Sequence, residues 1–443
     1  MAAAPDKLSR GPSPSPTAGL PLPPGDRRGQ IALWAAQLGL FCLPALVLTV
    51  RGNLLPFGLL LLASTLLVPL RLWQARALGG QPVRVLTWLM LAVVVLGVVS
   101  MLQFEDGLRD VGNRSRFVVM PWIALWICAL QPDPRWLWRG ALTGLLATLV
   151  LSVLQVAGGA PRAELNTNAI VLADIVLVLM VLLVFCRPLR RWPLVILGMA
   201  AGCATIVLTG SRGVFAALLA LLMVLALSLR WRTGMARLAV LAGILAIGAT
   251  LLLSVPGLRE QVRLTELHQD VQRMEQGDSD SSAGARVERL QVAWAAFLDH
   301  PLSGVGVGHF DTAMQRLPVC SENPEEPRCH LGHAHNDVAE WAATQGVPGL
   351  LLLLAVYGVP LLLFVVLHRR SGHRTFRGPA AAGIMLVVSY VLCGLTQSMF
   401  AHQMTAGFYV SLIGLLVGLS LLEGARHRAA AGHDPALPLR GER

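Results

Sequence analysis

Apolar runs close to the length that crosses a bilayer recur along almost the whole chain, and no other feature restricts its fold as much. They cover Ile31–Val50, Leu54–Trp73, Val85–Phe104, Phe117–Leu130, Trp136–Ala157, Ala169–Cys186, Pro193–Gly210, Gly213–Leu229, Met235–Val255, Val347–Leu367, Pro379–Met399 and Met404–Leu422. In hydrocarbon a backbone must satisfy its own N–H and C=O groups, and a helix of about twenty apolar residues does so within one segment. The runs therefore predict an all-α, polytopic integral membrane protein with about twelve transmembrane helices, Phe117–Leu130 being the shortest. Composition agrees: 55% of the 443 residues are hydrophobic and only 14% charged, too apolar a balance for a soluble domain of this length.

One gap between runs is long, and arginine placement says which side of the membrane it faces. With the N-terminus inside, fifteen arginines between Arg71 and Arg377 fall in cytoplasmic loops, against Arg51, Arg109, Arg114, Arg116, Arg162 and Arg212 in the opposite short loops. That positive-inside bias puts the long segment outside. The expected organisation is a disordered cytoplasmic tail over residues 1–28, helices 1–9 over 29–255, a periplasmic loop over 256–346, helices 10–12 over 347–423 and a cytoplasmic tail over 424–443. No cleaved signal peptide is expected, because the Pro-rich stretch Gly11–Arg28 precedes the first run. The net charge of +11 reads as a topology signal, and no nucleic-acid partner is expected.

Chemistry is expected in the outer loop. Its first part, Leu258–Gln276, mixes apolar residues with Arg259, Arg263 and Arg273, as a helix lying at the membrane interface would. After a polar break over Gly277–Gly284, the residues Val287, Leu290, Trp294, Phe297 and Leu298 recur at helical spacing, with Arg286, Glu288 and Arg289 toward another face; Pro301 ends this helix. Five cysteines (Cys42, Cys128, Cys186, Cys203, Cys393) lie within apolar runs and read as small buried residues. Cys320 and Cys329 instead flank a short polar loop and are expected to pair in an oxidising compartment. In the stretch from His333 to Gly346, Asp337 and Glu340 form a capping-box pattern and Gly346 reads as the residue after a helix, which leaves His335 just before a helix N-terminus, a place that attracts anions.

Each candidate has a bland alternative. Arg212, in Thr209-Gly-Ser-Arg-Gly213 between two spans, is a functional candidate or a snorkelling interfacial arginine. Arg286 is a functional candidate or an arginine on the wet face of an amphipathic helix. His330, His333, His335 and Asp337, with Cys320 and Cys329 upstream, are conceivable metal ligands, but the spacing fits no standard zinc pattern and a paired cysteine cannot ligate, so no metal site is expected. Asp278-Ser-Asp280 resembles a metal-holding DxD pair but sits in a Gly- and Ser-rich break that reads as linker. Asp174, inside a span, reads as a proton-relay group or as a hydrogen-bonding partner of a neighbouring helix.

Three stretches together resemble the lipopolysaccharide O-antigen ligase family of the ligase/polymerase superfamily: Leu208-Thr-Gly-Ser-Arg-Gly213; Gly284-Ala-Arg286 leading to His300-Pro-Leu-Ser-Gly-Val-Gly-Val-Gly-His-Phe310; and His333-Ala-His-Asn-Asp-Val-Ala-Glu-Trp-Ala-Ala-Thr-Gln-Gly-Val-Pro-Gly349. Asn166-Thr-Asn168 sits where relatives carry an Asn-Pro-Asn-like element, with Thr in place of Pro. The resemblance implies a GT-C-like, metal-independent glycosyltransferase of the bacterial inner membrane, needing no cofactor. It implies transfer of O-antigen polysaccharide from undecaprenyl pyrophosphate to a hydroxyl of the lipid A core on the periplasmic side. By the same resemblance Arg212 and Arg286 match the family's functional arginines and His335 the histidine of its His-Asn motif; Arg263, Arg289, Asn336 and Asp337 are expected neighbours at the pyrophosphate.

The residue types suit that chemistry. Breaking a sugar–pyrophosphate bond builds negative charge on the leaving group, and arginine meets it with a fixed positive charge and a planar fork of donors. His335 fits either a general base on the acceptor hydroxyl or a donor to the pyrophosphate. O-antigen polymerases and protein O-oligosaccharyltransferases use the same kind of donor and similar motifs; the protein-modifying relatives often carry a further C-terminal region, whereas only residues 423–443 follow the last run here, so the ligase is expected. A transporter alternating around intramembrane charges such as Asp174 would concentrate charge at mid-membrane, which this chain does not do.

Overall fold

The computed structural model describes residues 26–104, 112–189, 191–228, 282–372 and 376–430. The expected run Met235–Val255, the interfacial helix Leu258–Gln276, Arg263, Asp278 and Asp280 lie outside the described residues, as does most of each tail. Among the described residues the fold is all-helical. Six helices are long and apolar enough to cross a membrane: Arg27–Leu46, Arg76–Phe104, Arg135–Ala157, Trp192–Thr209, Asp337–Arg370 and Gln403–Ala429. Five shorter apolar helices stand beside them: Leu55–Leu67, Arg116–Leu130, Ala169–Phe185, Phe215–Ser228 and Pro379–Gly394. The first helix begins earlier than its apolar run, because the Asp26 carboxylate caps it by accepting from Gly29 N at 2.9 Å and pairs with Arg71.

The inside and outside of the bundle differ as a membrane solvent demands. Apart from Asp174, Ala169–Phe185 is apolar on all sides, and it is buried on all sides, which marks it as a central helix. Leu66, Trp88, Leu102, Leu154, Ile196, Leu351, Leu354 and Leu362 are instead exposed on the flanks of other helices, where lipid is the fitting solvent. Close helix contacts use small residues. A Cβ on Gly140 or Gly144, one turn apart, would collide with the Phe41 or Pro44 carbonyl oxygen, and one on Gly414 with that of Met120.

One loop fixes the helix that carries the candidate site. Asp337–Arg370 leaves helical geometry at Gly346 (φ 62°) and continues beyond it. The interruption frees backbone groups, and the loop after Pro301 takes them up: Val305 N donates to Ala343 O, Gly306 N to Thr344 O, and Val347 N to Pro301 O. Side chains are excluded where the strands of chain meet, since a Cβ at Gly304 would strike Thr344 and one at Gly346 would strike the Pro301 carbonyl. The glycine-rich stretch and the Gly346-Val-Pro-Gly349 stretch are thus two halves of one joint. Gly346, expected at a helix end, is the kink within a longer helix.

Candidate active site

The site forms where the Asp337–Arg370 helix begins. Its cap is Asn336, one residue before the expected Asp337: Asn336 Oδ1 accepts from Ala339 N at 3.0 Å. The same side chain donates from Nδ2 to Leu395 O, and Asn336 N donates to Ser398 Oγ at 3.2 Å. Asp337 points the other way. It is 1% exposed, accepts from Tyr357 OH at 2.6 Å and Phe400 N at 3.4 Å, and so ties the helix start to the bundle instead of turning to the arginines expected beside it. Glu340 does not return to the cap N–H as a capping box would; its Oε2 accepts from Ala334 N at 2.6 Å and holds the His333–His335 segment from below.

Between these anchors His335 adopts φ 54°, a left-handed conformation that a non-glycine residue keeps only when its surroundings impose it. Its Nδ1 lies 2.6 Å from Gln397 Oε1. That same oxygen accepts from Ser398 N at 3.1 Å, and a backbone N–H can only donate, so the Gln397 atom is the acceptor and His335 Nδ1 carries the proton. The Nε2 lone pair is left for chemistry.

Histidines and arginines then gather. The His333 ring lies 4.4 Å from that of His335 and 4.8 Å from that of His402. Burial and then the charge of Arg289 push the His335 imidazole down to about 4, with the Gln397 hydrogen bond opposing; Arg286 and His402 add smaller downward pushes. Burial, then His335, His402 and Arg289, push His333 down to about 3, and burial lowers His402. All three rings are neutral near pH 7.

Arg286 and Arg289 come from the helix Ser282–Asp299, which spans the expected region, packs its Val292, Ala293 and Ala296 inward and leaves Val287, Leu290, Trp294 and Leu298 exposed on the other face. Burial lowers both arginines below the usual guanidinium range, and like charge lowers them further, from Arg212 on Arg286 and from Arg286 on Arg289. Arg212 stands on the turn after the helix Trp192–Thr209, which ends at Gly210 (φ 62°), where Thr209 Oγ1 accepts from Ser211 N. The structure therefore brings Arg212, Arg286, Arg289 and His335 into one electrostatic neighbourhood.

Other candidates sit apart. Cys320 and Cys329 are joined in a disulfide, so neither is a thiolate ligand, and His330 is exposed away from the three packed rings. Among the described residues no three His, Cys, Asp or Glu side chains converge as metal ligands. Asn168 caps the central helix by accepting from Val171 N, and Asp174 is buried within that helix. Three contributors were not apparent from sequence: Gln397, His402 and Arg114. Arg114 is buried beneath the site with its guanidinium 3.7 Å from the Trp341 ring centre, and burial pushes it down to about 10 against the opposing charges of Glu340 and Asp337. The sequence signal for the first two was the cluster of polar residues Gln397, Ser398, His402 and Gln403 around the junction of two apolar runs.

No curated protein matches the chain. Residues 197–354, which contain Arg212, Arg286, Arg289 and His335, match the family model for O-antigen ligase (Wzy_C).

Proposed function

We propose that this protein is an O-antigen ligase that moves a polysaccharide from undecaprenyl pyrophosphate to a hydroxyl of the lipid A core, at the periplasmic face of the inner membrane. The family supports ligase- or polymerase-type transfer with lipid-linked polysaccharide as substrate. The observation that carries the finer reading is a neutral His335 with a free Nε2 beside clustered arginines. In this reading His335 Nε2 takes the proton of the acceptor hydroxyl as its oxygen bonds to the anomeric carbon. The bond from that carbon to the pyrophosphate oxygen breaks, and the electron pair leaves with the pyrophosphate. Arg212, Arg286 and Arg289 meet the added negative charge, so no divalent metal is required of the site. The fixed tautomer favours the base role of His335 over the role of charged donor.

The test is expression in a ligase-deficient strain, scored for O-antigen joined to lipid A core. Attached glycan is expected; polymer left on the lipid carrier would assign the chain to the polymerase reading. In vitro, transfer is expected to survive EDTA. Loss in EDTA with recovery in Mg²⁺ or Mn²⁺ would bring Asp278 and Asp280 back as ligands.

A further inference from the structure

A second charged cavity opens at the end of the bundle opposite His335. The Asp337–Arg370 helix starts at the histidines and ends beside Arg377, and the central helix runs from Asn168 at the first end to Phe185 at the second, so tens of ångströms separate the two places. The cavity has a volume of about 1040 Å³. Arg135, Arg139, Arg187, Arg191, Arg377 and Arg426 line it, against only Asp133 and Glu423. Among the described residues none of the six arginines forms an ion pair with a carboxylate. Arg187 is fixed in place: Nη1 donates to Val184 O at 2.6 Å and the guanidinium stands 4.3 Å from the Trp192 ring centre. Burial and the like charge of Arg377 both disfavour its cation, an arrangement that a bound anion would relieve. The rest of the wall is apolar, including Trp138, Leu142, Leu194, Leu419 and Leu422.

We propose that this cavity binds the phosphate headgroup of an anionic phospholipid, with the arginines on the phosphate and the lipid's glycerol and first acyl carbons on the apolar wall. A positive-inside bundle places this end in the cytoplasmic leaflet, where such headgroups meet basic pockets between helices. Free phosphate shares the charge but has no use for the apolar half, which decides for the lipid. The assignment does not depend on which transfer reaction the opposite end performs.

The experiment uses the delipidated full-length protein in neutral detergent, given phosphatidylglycerol, phosphatidylcholine or inorganic phosphate. Adducts are read by native mass spectrometry and unfolding temperature by a thermal scan. Phosphatidylglycerol is expected to be retained and to raise the unfolding temperature, whereas phosphatidylcholine and inorganic phosphate do neither. In Arg187→Gln/Arg377→Gln the affinity for phosphatidylglycerol is expected to fall by roughly tenfold or more. If that variant does not fold, Arg139→Gln/Arg426→Gln on other walls of the cavity carries the same expectation. Equal retention by wild type and the folded variant overturns the proposal. So does equal stabilisation by inorganic phosphate, which would make this a free-anion site.

Discussion

Two groups of arginines stand within a few residues of His335 and keep different company. Arg114 is sealed beneath the site, stacked on Trp341, with the carboxyl groups of Glu340 and Asp337 acting on its charge. Arg212, Arg286 and Arg289 lie on the histidine side, where the charge of Arg212 acts against Arg286 and that of Arg286 against Arg289, with Glu288 opposing the second push. The first meets groups of opposite sign and stacks on a ring of the Asp337–Arg370 helix near its start. In the second, like charges press on Arg286 and Arg289, an arrangement that a bound anion would relieve. The difference separates an arginine that serves the fold from arginines that serve a ligand, although burial is the main influence on the charge of Arg114, Arg286 and Arg289 alike.

The largest effect that tests this division is expected at His335. His335→Ala removes an imidazole with a defined proton on Nδ1 and an Nε2 lone pair available for the acceptor hydroxyl, and transfer is expected to fall by roughly 10²–10⁴-fold with insertion and folding unchanged. His333→Ala is expected to be milder, and His330→Ala, on an exposed position, near wild type. An in vitro transfer assay on the three purified variants decides; loss confined to His333→Ala would move the base to that ring.

Next come the arginines, where the two groups should behave in opposite ways. Arg212→Ala and Arg286→Ala are each expected to slow transfer by about 10²–10³-fold while leaving the unfolding temperature close to wild type, and Lys variants to recover only part of it, lacking the bidentate fork. Arg114→Met is expected to reduce folded yield instead, because two buried carboxyl groups lose their cation, a type of change that costs on the order of 3–5 kcal/mol. A stable, inactive Arg114→Met beside an active Arg286→Ala would erase the distinction.

A smaller effect, and a sharper one, is expected at Gln397. As the group that fixes the His335 tautomer it is a positioning residue, and Gln397→Ala is expected to lower kcat by about 10–100-fold, the usual range for losing a partner behind a functional histidine. The pH profile distinguishes this from a packing defect. The His335 pKa is lowered to about 4, so in the free protein the base is protonated only below that point. The kcat/KM of wild type should therefore rise as pH increases through about 4 and stay level to neutrality. Gln397→Glu would put a carboxylate on Nδ1–H, favour the imidazolium and move the inflection upward. A profile unchanged in Gln397→Glu would remove Gln397 from the mechanism.

Much of the fold was legible because the membrane imposes one rule on every segment: each apolar run within the described residues overlaps an apolar helix, although Leu54–Trp73 breaks at Val68 into two helices and the helix in Pro379–Met399 ends at Gly394. The Ser282–Asp299 helix was legible from its spacing and from Pro301. What sequence missed came from contacts distant along the chain. Gln397 and Asn336 meet their partners across 62 and 59 residues, and no local pattern announces such a pairing. The cap was misplaced by one residue because Asn336 and Asp337 are both good capping types; Tyr357, twenty residues away, takes Asp337 and leaves Asn336 the task. The glycines of the Gly304–Gly308 stretch read as a motif, while their reason, docking into the Gly346 kink, needed three dimensions.

The smallest effect on activity is expected from the disulfide, and it sharpens the comparison by testing a part of the loop that belongs to neither arginine group. Cys320 and Cys329 close a short loop, separated by nine positions, and Gln315 Nε2 donates to Cys329 O at 3.0 Å to hold it against the short helix Phe310–Met314. That short helix packs in a small core with Val292, Ala293 and Ala296, on the inward face of the helix that carries Arg286 and Arg289. Loosening the loop should therefore reach the arginines only through this core. A crosslink over so few residues restricts the unfolded chain by about 2–3 kcal/mol in the chain-entropy account, and the loss is local to a loop away from the packed histidines. Cys320→Ser/Cys329→Ser is thus expected to lower the unfolding temperature or increase protease cutting between Pro318 and Leu331. Transfer at moderate temperature should stay within about threefold of wild type, since one open loop leaves the Gln397–His335 contact intact. Limited proteolysis and a transfer assay on the same preparation check both halves. A double-serine variant as inactive as His335→Ala, yet folded, would mean that the crosslinked loop itself contacts the substrate.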